Sequence, residues 1–358
     1  MRRCGLSIGV LAVTGGILSP AVASAGTLGS ARVLATPTFT SPVAAAGGAI
    51  AWAASSGRGH RFEVLISRAG KTHALASTSA VGWIEGVKLG TDTHGHAIVV
   101  YSRCPHAPFG SATPGQAGTD GCLLWWAALS GGRARRIVAA PADTTVGTAT
   151  AGRVVFAIQP NTSHPNQPAR LETTTLTGHT ARSLPLSKPD GAIVTDVSAA
   201  GSDVAFIEEP HSTKDRTSPS QVWLDAPGAA PKLLDQQIGD AVPVDHEEHF
   251  FDGITLTGNA VYAFLYASPA LSEPPHAPPT HSELVQIPLA GGTAATARWA
   301  STPFSSFGIQ AAAFDPSDDQ LVLDLFSSRL ELASEACSSH ASSARACPIL
   351  TTGPVEYP

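Results

Sequence analysis

Short apolar segments recur along the chain, and each follows a stretch of small residues and a Gly or Asp turn. They are rich in β-branched and aromatic residues, which is typical of strands. The first spans Gly47–Trp52 and the last spans Asp318–Leu323. Equivalent positions in six copies are Ile50, Ile98, Val154, Val204, Val261 and Leu321. Their spacings of 48, 56, 50, 57 and 60 residues indicate a repeat architecture.

Each copy has a second half, in which an apolar strand leads through a turn to a strand that often carries Arg or Lys. Leu123–Leu129, for example, leads through Gly131-Gly132 to Arg135–Val138. Four short strands per unit, repeated six times, predict an all-β fold, a six-bladed β-propeller whose adjacent blades share a core. Two tandem β-sandwiches are the alternative, and the even spacing argues against it. The predicted blades are 41–80, 81–140, 141–190, 191–240, 241–300 and 301–352, the last completed by 31–40.

The two ends of the chain favour closure of the last blade. The sixth unit stops at Cys347–Leu350 without a fourth strand, whereas Ala31–Ala35 resembles fourth strands such as Ala134–Val138. We therefore expect residues 31–40 to complete the last blade, because an open sheet edge invites aggregation.

Three of these phrases carry a resemblance to a known family. Asp315–Asp319, Val204–Phe206 and Leu129–Gly132 resemble the WD40-like repeats of TolB-type six-bladed propellers, and the resemblance covers about residues 31–352. It implies a propeller and suggests one further role, a cell-envelope scaffold that docks a membrane partner. It does not fix a function, because the family is diverse.

The N-terminus has the pattern of an export signal. Arg2 and Arg3 precede an apolar stretch, Leu6–Leu18, and Ala23–Ala25 fits a cleavage site. A buried hydrophobic helix is the alternative. We expect residues 1–25 to be removed and residues 26–358 to form one secreted domain, extracellular or in the cell envelope.

Four cysteines follow the predicted signal, and an exported chain meets an oxidising compartment. Three pairings are possible. We favour Cys104 with Cys122 and Cys337 with Cys347, because each pair closes a short loop rich in Pro, Ser and Gly. A zinc site is the weaker alternative, since neither pair has the C-x-x-C spacing.

Composition limits the partners. Charged residues make up 14% of the chain and the formal net charge is −6, which disfavours nucleic acid. After residue 25 no stretch of 18 apolar residues occurs, so we expect no membrane span. We therefore expect a monomer that binds a protein, a peptide or a cell-envelope saccharide.

The long loops fall on one predicted face of the propeller, and both predicted disulfides brace that face. The loop that follows the repeated strand is long in five units: Arg103–Gly121, Gln159–Pro168, Glu209–Pro219, Ser268–Ser282 and Ser327–Ala346.

The densest polar cluster, Asp245–Asp252, lies on a connection that should reach this face. Asp245, His246, Glu247 and His249 are candidate ligands for calcium or zinc, although a solvated acidic loop is the competing interpretation. No other cofactor is expected.

Other polar positions could surround the mouth of the channel. The candidate ligand-binding residues are Trp83, Glu85, Asp196, His249 and Asp252. Turn capping and solvation of the channel are the alternative roles. Asp92, His94 and His96 are interpreted as a hairpin tip on the opposite face and not as ligands.

These observations predict a binding module that holds a protein, peptide or saccharide on the disulfide-braced face, without turnover. The alternative is an extracellular propeller hydrolase or lyase with acids or His at the channel mouth. Convergence of three or more acids or His within about 5 Å would favour the enzyme, as would perturbed pKa values there, whereas their dispersal would favour binding.

Overall fold

The computed structural model describes residues 32–35, 42–55, 61–105, 121–159, 168–186, 192–210, 220–237, 248–268, 283–290, 296–300, 309–318, 320–326 and 346–351. These residues form β-strands and one short 3₁₀ helix, Ala76–Thr78. The predicted all-β class is therefore confirmed. Among the described residues, no helix has the length and apolar character needed to cross a membrane.

The strands form six antiparallel sheets, and five of these use strands that are consecutive in the chain. The first strand, β1 (Arg32–Ala35), belongs to the last sheet, sheet 6. Sheet 1 consists of β2 (Val43–Ala46), β3 (Ala49–Ser55), β4 (Arg61–Arg68) and β5 (Lys71–Ala74), with β6 (Ala80–Val81) paired to β4. Sheet 2 consists of β7 (Trp83–Thr91), β8 (Ala97–Cys104), β9 (Leu123–Ala128) and β10 (Arg135–Arg136). Sheet 3 consists of β11 (Thr144–Thr150), β12 (Arg153–Ile158), β13 (Arg170–Thr175) and β14 (Arg182–Leu184).

The remaining sheets continue this pattern. Sheet 4 consists of β15 (Ala192–Ala200), β16 (Asp203–Pro210), β17 (Ser220–Asp225) and β18 (Lys232–Gln237). Sheet 5 consists of β19 (Glu248–Leu256), β20 (Ala260–Ser268), β21 (Glu283–Pro288) and β22 (Thr296–Ala300). Sheet 6 has the order β23 (Ile309–Asp315), β24 (Gln320–Phe326), β25 (Ala346–Thr351) and β1.

The first strands of the sheets lie together at the centre, and we call them the inner strands. They contact one another in the cyclic order β2, β7, β11, β15, β19, β23 and back to β2. The sheets therefore have a propeller-like arrangement around a central channel. In sheet 6, β1 pairs with β25 so that Val33 lies opposite Leu350.

The repeated apolar phrase forms the second strand of every sheet, as its position before a polar fourth strand predicts. Its six equivalent residues, which lie on β3, β8, β12, β16, β20 and β24, are all at most 5% exposed. They are apolar because a second strand is covered on both faces by neighbouring sheets. The fourth strands β5 and β10 are exposed along their whole length.

The apolar core is divided among the interfaces between neighbouring sheets. Trp52 packs with Val322 between sheets 1 and 6. Phe156 packs with Ile98 between sheets 2 and 3. Tyr262 and Phe314 have ring centroids 4.9 Å apart between sheets 5 and 6. Because no sheet covers its own faces, each sheet depends on its neighbours for a core.

Candidate functional site

Lys88 extends from β7 across the channel. Its Nζ lies 2.6 Å from Asp196 Oδ2 on β15 and 3.4 Å from the carbonyl oxygen of Ile254 on β19. In the cyclic order of inner strands, β7 and β19 lie opposite one another, with two strands between them on either side. The Lys88 side chain therefore forms a crossbar through the channel.

A cavity of about 210 Å³ lies beside this crossbar and is bounded by every inner strand. Lys88 is part of its wall. Most other lining residues are small, which is why the channel stays open where the inner strands converge. Each inner strand contributes at least one of these small residues: Ala45, Gly90, Thr148, Ser198, Thr255 and Ala313.

Asp196 is the buried partner of Lys88. Its Oδ2 also accepts the Ile254 N–H at 2.7 Å, and its Oδ1 accepts the Val197 N–H at 2.8 Å. Only 8% of its side chain is exposed. A carboxylate that is paired and satisfied by N–H donors is the form that burial tolerates.

Two further carboxyl groups are linked to Asp196 electrostatically: Asp252 interacts with Asp196, and Glu209 interacts with Asp252. Burial raises the pKa of Asp252 to about 6, the negative charge of Asp196 adds to the shift, and Lys88 and the Gly253 N–H oppose it. Burial also raises the pKa of Glu209 to about 7, and the charge of Asp252 adds to that shift. The Ser220 hydroxyl donates to Glu209 Oε1 at 3.3 Å and opposes it. We call Asp196, Asp252 and Glu209 the acidic cluster.

Glu85 is a separate acid on β7. Burial raises its pKa from 4.5 to about 7, and its Oε1 is buried with no hydrogen-bond partner among the described residues. It lies where the register between β7 and β8 shifts, between Ile84 and Val87. The adjacent Gly86 N–H donates to Ser102 Oγ at 2.8 Å.

Four other inner strands have the same kind of irregularity near their beginnings. Such bulges redirect side chains, and they are common beside functional sites. The register shifts occur between Thr144 and Val146, Val194 and Asp196, Asp252 and Ile254, and Ile309 and Ala311. Asp196 and Asp252 therefore lie at the edges of their bulges.

The acidic cluster and the disulfide belong to the same end of the channel, where the inner strands begin. Cys104 and Cys122 form a disulfide, which confirms that predicted pair. Cys104 lies opposite Trp83, the first residue of β7. Glu209 lies opposite Ile193, near the beginning of β15. We call this end the disulfide end.

Arg103 fixes the chain next to the disulfide. Its guanidinium donates to the carbonyl oxygens of Phe62, Thr78, Ala80, Val81 and Gly82, which belong to the connection between sheets 1 and 2 or to the strand beside it. Five donors in a planar fork suit such a cluster of carbonyl groups. The disulfide end is thus rigidly held where the structure describes it.

The structure distributes the predicted ligand-binding residues unevenly. Asp196 and Asp252 come together in the acidic cluster, and Glu85 lies on the inner strand that carries Lys88. Trp83 is half-buried instead, with its ring 4.4 Å from that of Phe62 between sheets 1 and 2. His249 lies on β19 opposite Ala267.

Several predicted positions have no structural description. Asp245, His246 and Glu247 of the predicted metal site lie outside the described residues, as do Cys337 and the predicted signal. Cys347 lies on β25, whose backbone alone is described. The metal site and the second disulfide therefore stay predictions.

Sequence reasoning missed Lys88 and Glu209. Each stands alone within an apolar or mixed strand and belongs to no motif. The sequence did contain a signal for Lys88, because a charged residue on a strand predicted to line a channel needs a partner of opposite charge. Nothing local marks Asp196 as that partner, since 108 residues separate the two.

Comparisons with known proteins give distant structural similarity only. No protein-family model matches the chain, and no curated protein matches its sequence. An acylaminoacyl peptidase from Pyrococcus horikoshii is 10% identical over 81% of this chain and 42% of that chain, with a TM-score of 0.45. A protein of unknown function from Dyadobacter fermentans is 9% identical over 90% and 98%, with a TM-score of 0.49. A polysaccharide lyase is 10% identical over 64% and 54%, with a TM-score of 0.38. The chain spans less than half the length of the peptidase.

Proposed function

We propose that the chain is an exported six-bladed propeller that binds a cationic group of a peptide or protein at the disulfide end. The acidic cluster carries this proposal. Lys88 pairs with Asp196 and also acts on Asp252, whereas the charge of Asp252 acts on Glu209, so a full set of ionised carboxylates leaves negative charge uncompensated in a region of low solvation. An Arg or Lys side chain of a ligand supplies that charge.

We also propose that residues 26–358 form one domain, a closed ring of six blades. The cyclic contacts of the six inner strands support it, and so does the pairing of β1 with β25. Export is supported by the sequence of residues 1–25 and is compatible with the disulfide between Cys104 and Cys122.

Rigid presentation is the proposed mechanism. The bulges beside Asp196 and Asp252 and the Lys88 crossbar hold the cluster in place before a ligand arrives, which lowers the entropic cost of binding. The cation should bind more tightly as the pH rises through about 6 and about 7, because Asp252 and Glu209 then lose their protons.

The test is calorimetric titration with three short peptides that differ only in a central Arg, Gln or Glu. We expect the Arg peptide alone to bind, and Glu209→Gln or Asp252→Asn to weaken it by at least about tenfold. Glu63→Gln, on β4, is the matched control and should leave the affinity unchanged. Equal binding of the three peptides, or an affinity that Glu209→Gln does not alter, would contradict the proposal.

A hydrolase or lyase is the second candidate, because three acids come together in the acidic cluster and two of them have raised pKa values. Asp252 and Glu209 interact and have pKa values of about 6 and about 7, so one can be protonated while the other is ionised near neutral pH. That is what general acid–base catalysis requires. Chromogenic glycosides and polyuronates test it: a bell-shaped pH–rate profile, with a loss of about 100-fold or more in Glu209→Gln, supports an enzyme. Absence of turnover on this panel leaves the binding role as the conclusion.

A further inference from the structure

The turn between β7 and β8 brings three metal-ligating side chains together at the end of the channel opposite the acidic cluster. The ligand atoms of Asp92, His94 and His96 all lie within 4.8 Å of one another. Asp92 Oδ2 lies 3.1 Å from His96 Nδ1 and 4.0 Å from His94 Nδ1. Neither the proposed binding role nor the sequence analysis assigned these residues a ligand.

The backbone of this turn is fixed by Asp92 itself. Its Oδ1 accepts the N–H groups of His94 and His96 at 2.8 and 2.9 Å, and its own N–H donates to the His96 carbonyl at 2.9 Å. Its other oxygen, Oδ2, lies on the side of the two imidazoles, within hydrogen-bond distance of His96 Nδ1.

Hydrogen bonds from the neighbouring sheet 3 hold this turn in place. The Gly152 N–H donates to the Thr91 carbonyl and the Ala151 N–H donates to Thr91 Oγ1, both at 2.9 Å. A Cβ on Gly152 would lie 2.3 Å from Thr93 Cγ2, so the two hairpin tips are in close contact. Positions 91–96 are thus held on a rigid support, which a precise metal site needs.

The side chains are open to an ion from solvent. The two His side chains are 75% and 73% exposed, whereas Asp92 is 20% exposed. The rings stack with centroids 5.7 Å apart. Tetrahedral ligands at about 2.0–2.1 Å from zinc lie about 3.3 Å apart, a separation that the exposed rings would reach by rotating toward Asp92 Oδ2.

We propose that Asp92, His94 and His96 form a binding site for a divalent first-row transition ion such as Zn²⁺. Two imidazoles and one carboxylate are ligands that Zn²⁺ accepts, and Ca²⁺ and Mg²⁺ are excluded by their preference for oxygen. The remaining coordination position faces solvent, where it takes water or a group from another molecule.

Calorimetric titration of the untagged protein with ZnCl₂ tests the site. We expect one saturable site, weakened by at least about tenfold in His94→Ala, in His96→Ala and in Asp92→Asn. Asparagine keeps the acceptor that holds the turn, so this variant separates loss of a ligand from loss of the turn. A Co²⁺ titration gives a second readout, because bound Co²⁺ acquires visible absorption bands that these variants lose.

Two controls isolate the turn from other histidines. His73→Ala removes an exposed imidazole on β5, and a variant with His246→Ala and His249→Ala removes the pair in the predicted Asp245–Asp252 cluster. Both should keep the site. Absence of saturable binding in the wild-type protein, or binding that survives His94→Ala and His96→Ala, overturns the proposal.

Discussion

At the scale of single residues, the free-energy cost of burying charge explains how the ionisable groups beside the channel are paired. Lys88 compensates Asp196 and lowers the pKa of Asp252, whereas Glu85 has no compensating partner among the described residues. An ionised group is tolerated in such a place only when it is paired, and otherwise its pKa shifts. On the same strand, Lys88 is therefore paired with a carboxylate, whereas Glu85 is unpaired among the described residues and has a raised pKa.

Replacement of Lys88 by Met tests the crossbar. The Asp196 carboxylate would lose its cation but stay buried, so we expect the free energy of unfolding to fall by about 2 to 3 kcal/mol. This is below the range for a fully buried pair, because Lys88 keeps 22% of its side chain exposed. Denaturant titration measures the loss. Adding Asp196→Asn should recover part of it, and no recovery would mean that the pair is not coupled.

Replacement of Glu85 by Gln tests the unpaired acid. Burial raises its pKa from 4.5 to about 7, so the wild-type protein loses stability as the pH rises through this interval, whereas glutamine does not titrate. We expect the variant to match the wild type near about pH 4 and to exceed it by about 2 kcal/mol near about pH 8. Thermal unfolding across this range measures the difference. A difference that does not change with pH would contradict the shifted pKa.

Individual site residues were only partly predictable from sequence. Asp196 and Asp252 could be named as candidates because each lies near a connection between blades, which the repeat places at the channel mouth. Lys88 and Glu209 could not, because their roles depend on contacts with other blades. The bulges were also unpredictable, since each is set by pairing with the second strand.

At the scale of elements, contact between inner strands fixes the width of the channel. A Cβ on Gly90 of β7 would lie 2.1 Å from the carbonyl oxygen of Ala149 on β11. That oxygen belongs to the backbone, so relief requires the two strands to separate. Glycine at this position therefore permits the close approach of sheets 2 and 3.

Replacement of Gly90 by Ala should reduce the free energy of unfolding by about 2 kcal/mol, measured by denaturant titration. Gly258→Ala is the matched control, because a Cβ there meets nothing within 4 Å. Equal stability of the two variants would show that β7 and β11 do not pack this closely.

Strands were predicted well because their signal is local. All six repeated positions lie on second strands, and the predicted second halves became third and fourth strands. The extra strand β6 and the helix Ala76–Thr78 were missed, because they depend on Arg103 and on Thr78, whose hydroxyl accepts the Val64 N–H.

At the scale of the whole molecule, we propose that β1 closes the ring. The register of β1 and β25 gives it a direct test, because Val33 lies opposite Leu350. In a background with Cys337→Ser and Cys347→Ser, we expect Val33→Cys and Leu350→Cys to form a disulfide on mild oxidation, which mass spectrometry of peptides detects. Recovery of both thiols in the free form would contradict the closed ring.

The all-β class and the propeller-like arrangement could be predicted because the repeat imposes the same solution on each unit. The proposed ligand could not, because its binding would depend on charges that the fold brings together from β15, β16 and β19. A single sequence shows each of those charges as an isolated polar residue.

The most direct test of the central claim is a ¹³C NMR titration of side-chain carboxyl groups, with Glu209→Gln and Asp252→Asn to assign the signals. We predict that Asp252 titrates with a pKa of about 6 and Glu209 with a pKa of about 7. The Arg peptide should lower both pKa values, since a bound cation favours the ionised forms. Titration of both groups at the ordinary values of exposed carboxyls, or pKa values that the peptide leaves unchanged, would contradict an acidic cluster built to receive a cation.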